Sequence, residues 1–187
     1  MTQQAHDVCL FEGARYDVCA HEGRGRVRPS DFGIAAESTT TADRRGYWTL
    51  YAVDGGSLRL RELHVGSRLA PEAAPRIGER RAAGEGGRLV YRSLDLPVAF
   101  SGGLLLGSGA SRAGSWFMRP PWDYARLWEL RFEEGRLVGV WDRSAKAEEI
   151  HRTASPDDLQ SLYSEEACRR LFQGFSTTYL LMKDDLW

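Results

Sequence analysis

The stretch richest in binding-type residues surrounds two adjacent prolines, Pro120 and Pro121. Trp, Tyr and Arg, which dominate binding hot spots, cluster around them. Proline fixes the backbone angle φ, and this lowers the entropic cost of presenting neighbouring side chains. We therefore predict a binding segment over residues 115–124, whose binding side chains are Trp116, Arg119, Trp122, Asp123 and Tyr124. The alternative is that the segment covers one end of a sheet with its rings.

A second candidate is an Arg- and Gly-rich loop that contains Arg24, Arg26 and Arg28, with His21 close by. Glycines let backbone amides and guanidinium groups approach a phosphate or a carboxylate. The three arginines are therefore a candidate anion-binding site, and a solvated loop is the alternative. The 25 Lys and Arg residues are balanced by 26 Asp and Glu. Because such a chain has no overall positive field, we expect no nucleic-acid partner.

The sequence contains no recognisable motif for catalysis, metal binding or nucleotide binding. Its four histidines are scattered, with no His-x-x-x-His pair, whereas a metal site needs several ligands at workable spacing. The glycines over 102–109 lack the Lys that reaches phosphates in nucleotide-binding loops. We expect no catalytic residue, no metal and no cofactor. A hydrolytic site assembled from distant segments stays open, because catalytic triads are defined by geometry.

Cysteine usage and hydropathy favour a soluble, cytoplasmic protein. The three cysteines, Cys9, Cys19 and Cys168, are an odd number and do not form a disulfide framework. Residues 1–7 are polar and lack the basic start and apolar run of a signal peptide. The longest apolar run, over 104–106, is too short to cross a bilayer. We therefore expect no membrane partner.

Alternating hydrophobicity predicts a β core over residues 15–142, built around hairpins near 47–65 and 127–142. In the first hairpin both faces of the opening strand are apolar, so we expect that strand to be covered on both sides. A slip in alternation near Arg61 and Glu62 predicts a β-bulge. A further short strand is predicted over 32–36. The two hairpins each carry a Trp before an acidic-Gly turn, and a true internal duplication stays open.

In the second hairpin, Trp128, Leu130 and Phe132 alternate with charged residues, which predicts one buried and one wet face. Helical periodicity follows over 145–174, and a final strand is predicted over 177–182. The expected fold is thus one mainly β domain over 1–187. It is an antiparallel barrel or sandwich of hairpins with a short helical C-terminal segment, α+β by content.

The pattern Pro121-Trp122-x-Tyr124, followed by the alternating second hairpin, resembles small bacterial proteins with such a hairpin near their carboxyl end. The resemblance implies no activity and no site residue.

We expect a non-enzymatic interaction protein, such as an immunity protein, an antitoxin-like protein or a regulatory subunit, that binds another protein through the 115–124 segment. The first alternative is a small-ligand-binding β-barrel, and the second is a hydrolase with a dispersed site. A concave pocket around 115–124 would favour a ligand, and an exposed apolar patch there would favour a protein partner.

Overall fold

The structure is a computed structural model that describes residues 5–110, 119–153 and 165–180. Within these ranges the chain forms ten β-strands and two short α-helices. The strands are β1 (Val8–Phe11), β2 (Ala14–Arg24), β3 (Tyr47–Asp54), β4 (Ser57–Gly66), β5 (Ala83–Glu85), β6 (Arg88–Tyr91), β7 (Leu96–Pro97), β8 (Ser101–Ala110), β9 (Tyr124–Glu133) and β10 (Arg136–Asp142). The helices are α1 (Ser144–Thr153) and α2 (Glu165–Leu171). Neither helix is long and apolar enough to cross a membrane.

All ten strands belong to one sheet, in the order β10-β9-β8-β2-β1-β3-β4-β6-β5, with β7 paired to β4. The turns of the two predicted hairpins meet. The Leu58 N–H donates to the Gly135 carbonyl and the Leu137 N–H donates to the Gly56 carbonyl, both at 2.8 Å. This contact pairs β10 with β4 and closes seven of the strands into a ring. The mainly β fold with a short helical segment is confirmed, and the closure matches the barrel alternative.

One pairing departs from the antiparallel prediction. Strand β1 lies between β2 and β3, and it runs parallel to β3 with Val8 opposite Leu50. Parallel neighbours need a long connection, and β2 together with the segment over 25–46 supplies it. The sheet is therefore mixed, a feature that local alternation does not reveal.

The local features of the hairpins follow the sequence. Asp54 pairs with Ser57 across one two-residue turn, and Glu133 pairs with Arg136 across the other. The predicted bulge is confirmed, because Leu50 faces Glu62 while the next residue faces Leu60, which leaves Arg61 as the extra residue.

Two predicted strands are not formed. Pro29–Phe32 is a 3₁₀ turn, in which the Asp31 carboxylate accepts the Arg28 N–H at 2.8 Å. Proline and a capping carboxylate favour this turn over an extended chain that alternates only weakly. Residues 177–180 also form no strand, and 181–182 lie outside the described residues.

The sheet buries apolar side chains on both of its faces. The inner core lies within the ring and includes Leu60, Leu63, Leu106, Leu130 and Phe132. The outer core lies on the other face of β8 and β9, beneath α1, α2 and the chain that follows α2, and it includes Leu105, Leu127, Ile150, Phe172 and Tyr179. Strands in the middle of this sheet are therefore covered on both sides.

Glycines on the outer face of β8 make room for two tyrosines. A Cβ on Gly107 would overlap the Tyr124 ring, and a Cβ on Gly103 would overlap the Tyr179 hydroxyl. The Gly-rich composition of β8 thus serves close packing against the segments that cover it.

A buried carboxylate, Glu129, holds segments of the outer core together through hydrogen bonds. The alternation of β9 in the sequence predicted that this residue would be exposed to solvent. Glu129 is fully buried, because α1 and the chain after α2 cover this side of β9. It accepts hydrogen bonds from Arg143, at 2.7 Å, from the Ser176 N–H, at 2.8 Å, and from the Tyr179 hydroxyl, at 3.0 Å. Two separate segments, Arg143 before α1 and residues 176–179 after α2, are therefore tied to one side chain of β9.

We expect Glu129→Ala to lower the free energy of unfolding by about 3 kcal/mol, because it leaves the partly buried Arg143 charge and the Ser176 and Tyr179 donors without their acceptor. Urea denaturation measures the change. The matched control is Glu133→Ala, which changes an exposed residue of the same strand and should cost less than about 0.5 kcal/mol. Equal losses in the two variants would contradict a tethering role for Glu129.

Candidate functional site

A buried carboxylate lies where β1 enters the sheet. Asp7 directly precedes β1, and its carboxylate is placed beside β3 by the parallel pairing of Val8 with Leu50. It accepts the Thr49 N–H at 2.7 Å, Arg45 Nη2 at 2.7 Å and Arg26 Nη2 at 2.6 Å. The two guanidinium groups come from the two ends of the segment that joins β2 to β3. The Asp7 carboxylate therefore links the start of β1 to both ends of the segment that joins β2 to β3.

The charges of this group stabilise one another. Burial alone would raise the pKa of Asp7, but Arg45, Arg26 and the hydrogen bond from Thr49 outweigh it and hold that pKa well below its usual range. Burial likewise acts to lower the pKa of Arg45, and the Asp7 carboxylate reverses this and raises it. Arg26 Nη1 also contacts His21 Nε2.

Two hydroxyl groups beside these charges form no hydrogen bond of good geometry, although the Thr49 side chain lies close enough to interact with Asp7 and Tyr51. Within the described residues, four buried side-chain polar atoms are unpaired: His6 Nε2, Thr49 Oγ1, Tyr51 OH and Trp122 Nε1. Thr49 and Tyr51 share one face of β3, and both are almost fully buried. Burial, with the Asp7 charge added, raises the pKa of Tyr51 to about 12. Its phenol therefore stays protonated and is able to donate.

We call the set Asp7, His21, Arg26, Arg45, Thr49 and Tyr51 the Asp7 cluster. Buried polar atoms in proteins are almost always hydrogen-bonded, so each unpaired one needs an explanation. In this cluster two unpaired hydroxyls lie among three charged side chains. The arrangement is typical of a place that binds a polar group.

A second polar group lies next to the cluster on the outer side of the sheet. The Tyr124 hydroxyl donates to Asp17 at 3.0 Å, and the Arg119 guanidinium lies 5.4 Å from the centre of the Tyr124 ring. Burial, together with the nearby Asp17 carboxylate, raises the pKa of Tyr124. Burial lowers the pKa of His6, whose imidazole feels the charges of Asp17, Asp7, Arg119 and Arg45. His6 thus links the two polar groups electrostatically.

The described part of the predicted binding segment, residues 119–124, packs largely into the protein. Trp122, Asp123 and Tyr124 are only 3–4% exposed, and Trp122 and Tyr124 belong to the outer core. Asp123 lies 3.4 Å from His151 Nδ1 on α1. Trp116 lies outside the described residues. Over 120–124 the residues thus lie where the sheet-cover alternative places them, and of the predicted set Arg119 stays half-exposed.

The three loop arginines do not converge. Arg26 folds back onto Asp7, whereas Arg24 and Arg28 are exposed to solvent. The Arg28 backbone N–H serves the 3₁₀ turn that follows. The structure thus brings one member of the predicted anion site into the Asp7 cluster, where Arg45 is the second guanidinium.

The chemistry of the cluster favours binding over reaction. Burial raises the pKa of the Cys9 thiol to about 12 and also raises that of Cys19, so both thiols are protonated and poorly nucleophilic at neutral pH. The Asp7 carboxylate is held by three donors, and its lowered pKa makes it a weak base. No three His, Cys, Asp or Glu side chains in the described ranges form a group that could hold a metal.

Sequence reasoning missed Asp7, Arg45, Thr49 and Tyr51 as members of a site. The only local signal was an acidic residue directly before the alternating run Val8-Cys9-Leu10-Phe11. Such a residue is also typical of a solvated strand start, and its burial depends on a partner strand about forty residues away.

The described surface also has a cavity of about 220 Å³ beside β5 and β6, lined in part by Pro71, Gly86 and Arg88. None of the unpaired buried polar atoms belongs to its lining. We therefore place the candidate site at the Asp7 cluster.

The lowered pKa of Asp7 predicts how its contribution depends on pH. That contribution is complete above the unfolded-state pKa of about 3.9 and is lost as the pH falls through the folded-state pKa. We expect Asp7→Asn to cost about 3–5 kcal/mol at pH 7, and this deficit should shrink by roughly 1 kcal/mol at pH 3. Urea denaturation of both proteins at pH 7, 5 and 3 measures it.

The matched control is Asp54→Asn, which removes an exposed carboxylate paired with Arg61 and should cost less than about 1 kcal/mol at each pH. An Asp7→Asn deficit that stays constant down to pH 3 would show that the Asp7 pKa is not lowered by folding.

Neither a protein-family model, nor a curated protein, nor a solved structure matches this chain. The functional argument therefore rests on the geometry of the Asp7 cluster: one carboxylate between two guanidinium groups, with two unpaired hydroxyls beside them.

Proposed function

We propose that this protein binds a small polar molecule at the Asp7 cluster and does so without catalysis. The supporting observation is the pair of unpaired, buried hydroxyls of Thr49 and Tyr51 among charged side chains. An unsatisfied buried polar group costs about 1–3 kcal/mol. A ligand that hydrogen-bonds both hydroxyls would offset this cost, and that gain becomes binding free energy.

The cluster is screened from solvent by side chains that can move. The Arg26 and Arg45 side chains are 11% and 17% exposed, whereas the Asp7 side chain between them is 3% exposed. Long arginine side chains change rotamer at far lower cost than strands separate. The mouths of closed β-sheets are also frequent locations of small-ligand sites. These facts favour entry past the two guanidinium groups.

Burial of the 120–124 residues weakens the protein-interaction hypothesis in its original form. A protein interface needs exposed rings at its centre, and the Trp122 and Tyr124 rings are enclosed by the outer core. The hydrolase alternative likewise lacks support in the described residues, where the buried thiols are protonated and Asp7 is fully hydrogen-bonded. Ligand binding is the function that this geometry supports best.

The ligand proposal predicts an unusual result for Tyr51→Phe. Since the Tyr51 hydroxyl interacts with the Thr49 side chain but forms no hydrogen bond of good geometry, its removal should leave the free energy of unfolding nearly unchanged, while ligand affinity falls about tenfold. Thermal shift against a metabolite collection first identifies the ligand, and calorimetric titration of both proteins then measures the affinity.

The matched control is Tyr91→Phe in the same core, because the Tyr91 hydroxyl donates to the Pro75 carbonyl at 2.7 Å. That variant should lose about 1 kcal/mol of stability and keep the affinity of the native protein. If Tyr51→Phe destabilises as much as Tyr91→Phe and no metabolite distinguishes the native protein from Tyr51→Phe, the proposed function is wrong.

A second proposal keeps the protein-interaction hypothesis and moves it to β10. Five large hydrophobic residues are exposed in the described residues, and three of them lie on this strand: Val138, Val140 and Trp141, at 38–52%. The Arg143 N–H donates to the Leu127 carbonyl, so Arg143 occupies a hydrogen-bonded position of the β9–β10 ladder. Such positions alternate along an antiparallel pair, so the backbone N–H and C=O of Val140 point away from β9. Strand β10 pairs with β4 only at Arg136. Its outer edge therefore fits an extended strand of a partner protein.

A photoreactive amino acid at position 140 should then crosslink one partner protein in native cells. The control carries the same group at Glu148, an exposed position on α1. Val140→Lys should abolish complex formation with the crosslinked protein, because a charged edge opposes strand addition. Identical products from positions 140 and 148 would contradict the β10 proposal and leave the ligand proposal untouched.

A further inference from the structure

We infer that the ligand of the Asp7 cluster is a monoanion with a carboxylate group, held between the Arg45 guanidinium and the hydroxyls of Tyr51 and Thr49. This inference rests on the proposed function and specifies the chemical class of the ligand. It follows from the charge of the cluster, the protonation state of its hydroxyls and the position of Asp7.

The first step is the charge of the cluster. Asp7 contributes one negative charge, and Arg26 and Arg45 contribute one positive charge each, so the three side chains together carry +1. Of the histidines near this group, His6 adds no charge near neutral pH, because burial lowers its pKa. A monoanion makes the cluster neutral, which is the state that a poorly solvated site favours.

The second step concerns the donors. Tyr51 and Thr49 are two residues apart on β3, so their side chains point to the same face of the strand. The Tyr51 phenol remains protonated at neutral pH, since its pKa is raised to about 12. Both hydroxyls are therefore able to donate. A carboxylate accepts up to four hydrogen bonds and also fits the planar fork of a guanidinium group.

The third step excludes dianions as the preferred class. Asp7 is 3% exposed and is kept ionised by Arg45 and Arg26. A phosphate monoester or a dicarboxylate would bring a second negative charge close to it. At about 4 Å and an effective dielectric of 20, that repulsion is large enough to weaken binding by about a thousandfold. Asp7 therefore favours the binding of ligands that carry one negative charge over ligands that carry two.

The test compares three small probes of similar size at constant ionic strength and pH 8: propionate, malonate as a dianion, and propionamide. Chemical shifts of the Tyr51 and Thr49 signals report binding to the full chain. We expect propionate to bind at least about tenfold more tightly than malonate and propionamide to produce no shift. Tyr51→Phe and Thr49→Val should each weaken propionate binding by about tenfold.

Asp7→Asn supplies the sharpest comparison, because it raises the summed charge to +2. In this variant the preference for propionate over malonate should disappear or reverse. If Asp7→Asn does not fold, the ranking of the three probes in the native protein and in Thr49→Val still decides the class.

The outcomes separate the two proposals. Malonate or propionamide binding as tightly as propionate, with dependence on Tyr51, would overturn the monoanion inference and leave ligand binding intact. If no probe binds and no metabolite shows affinity that depends on Tyr51, the proposed function fails and the inference fails with it.

Discussion

The Asp7 carboxylate is the interaction on which the arrangement of the sheet depends. An ionised carboxylate is very costly to bury unless it is paired and hydrogen-bonded. Here its donors are Arg26, Arg45 and the Thr49 backbone, which lie on three separate stretches of chain. Because the Thr49 bond fixes the offset between β1 and β3, the same carboxylate sets the parallel register in the middle of a largely antiparallel sheet. Closure of the ring then leaves the cluster at one end of the inner core.

Glu129 shows what a buried carboxylate looks like when its role is structural. Its oxygens accept bonds from Arg143, Ser176 and Tyr179, and none of these polar groups is left unpaired. A fully satisfied network of this kind rigidifies a core. The Asp7 cluster differs because its carboxylate is equally well bonded while hydroxyls beside it are not. The difference between the two sites is therefore the hydroxyls without a hydrogen bond of good geometry and not the buried charge, and this is why we propose ligand binding at the Asp7 cluster.

The features that were predictable from sequence are those set by neighbours along the chain. Both hairpin turns and the bulge at Arg61 follow from short-range patterns: acidic-Gly turns and a slip in alternation. The parallel β1–β3 pairing and the burial of Glu129 were not predictable, because each depends on segments tens of residues away. The burial of Trp122 was not predictable for a related reason. Its composition resembles a binding segment, but exposure is decided by the helices that pack over it.

The residues of the candidate site likewise could not be selected from local sequence alone. Arg26 was identified from its Gly-rich loop, and the loop does allow the side chain to fold back. Its neighbours Arg24 and Arg28 have the same local composition and face solvent, so composition alone cannot select the member that matters. The buried Asp7 carboxylate determines which arginines belong to the cluster, because only a guanidinium group that can reach it forms a charge-assisted hydrogen bond of good geometry. The cluster is thus specified by long-range ion pairs, and the hydroxyls of β3 lie beside charged groups only because Asp7 pairs with Arg26 and Arg45.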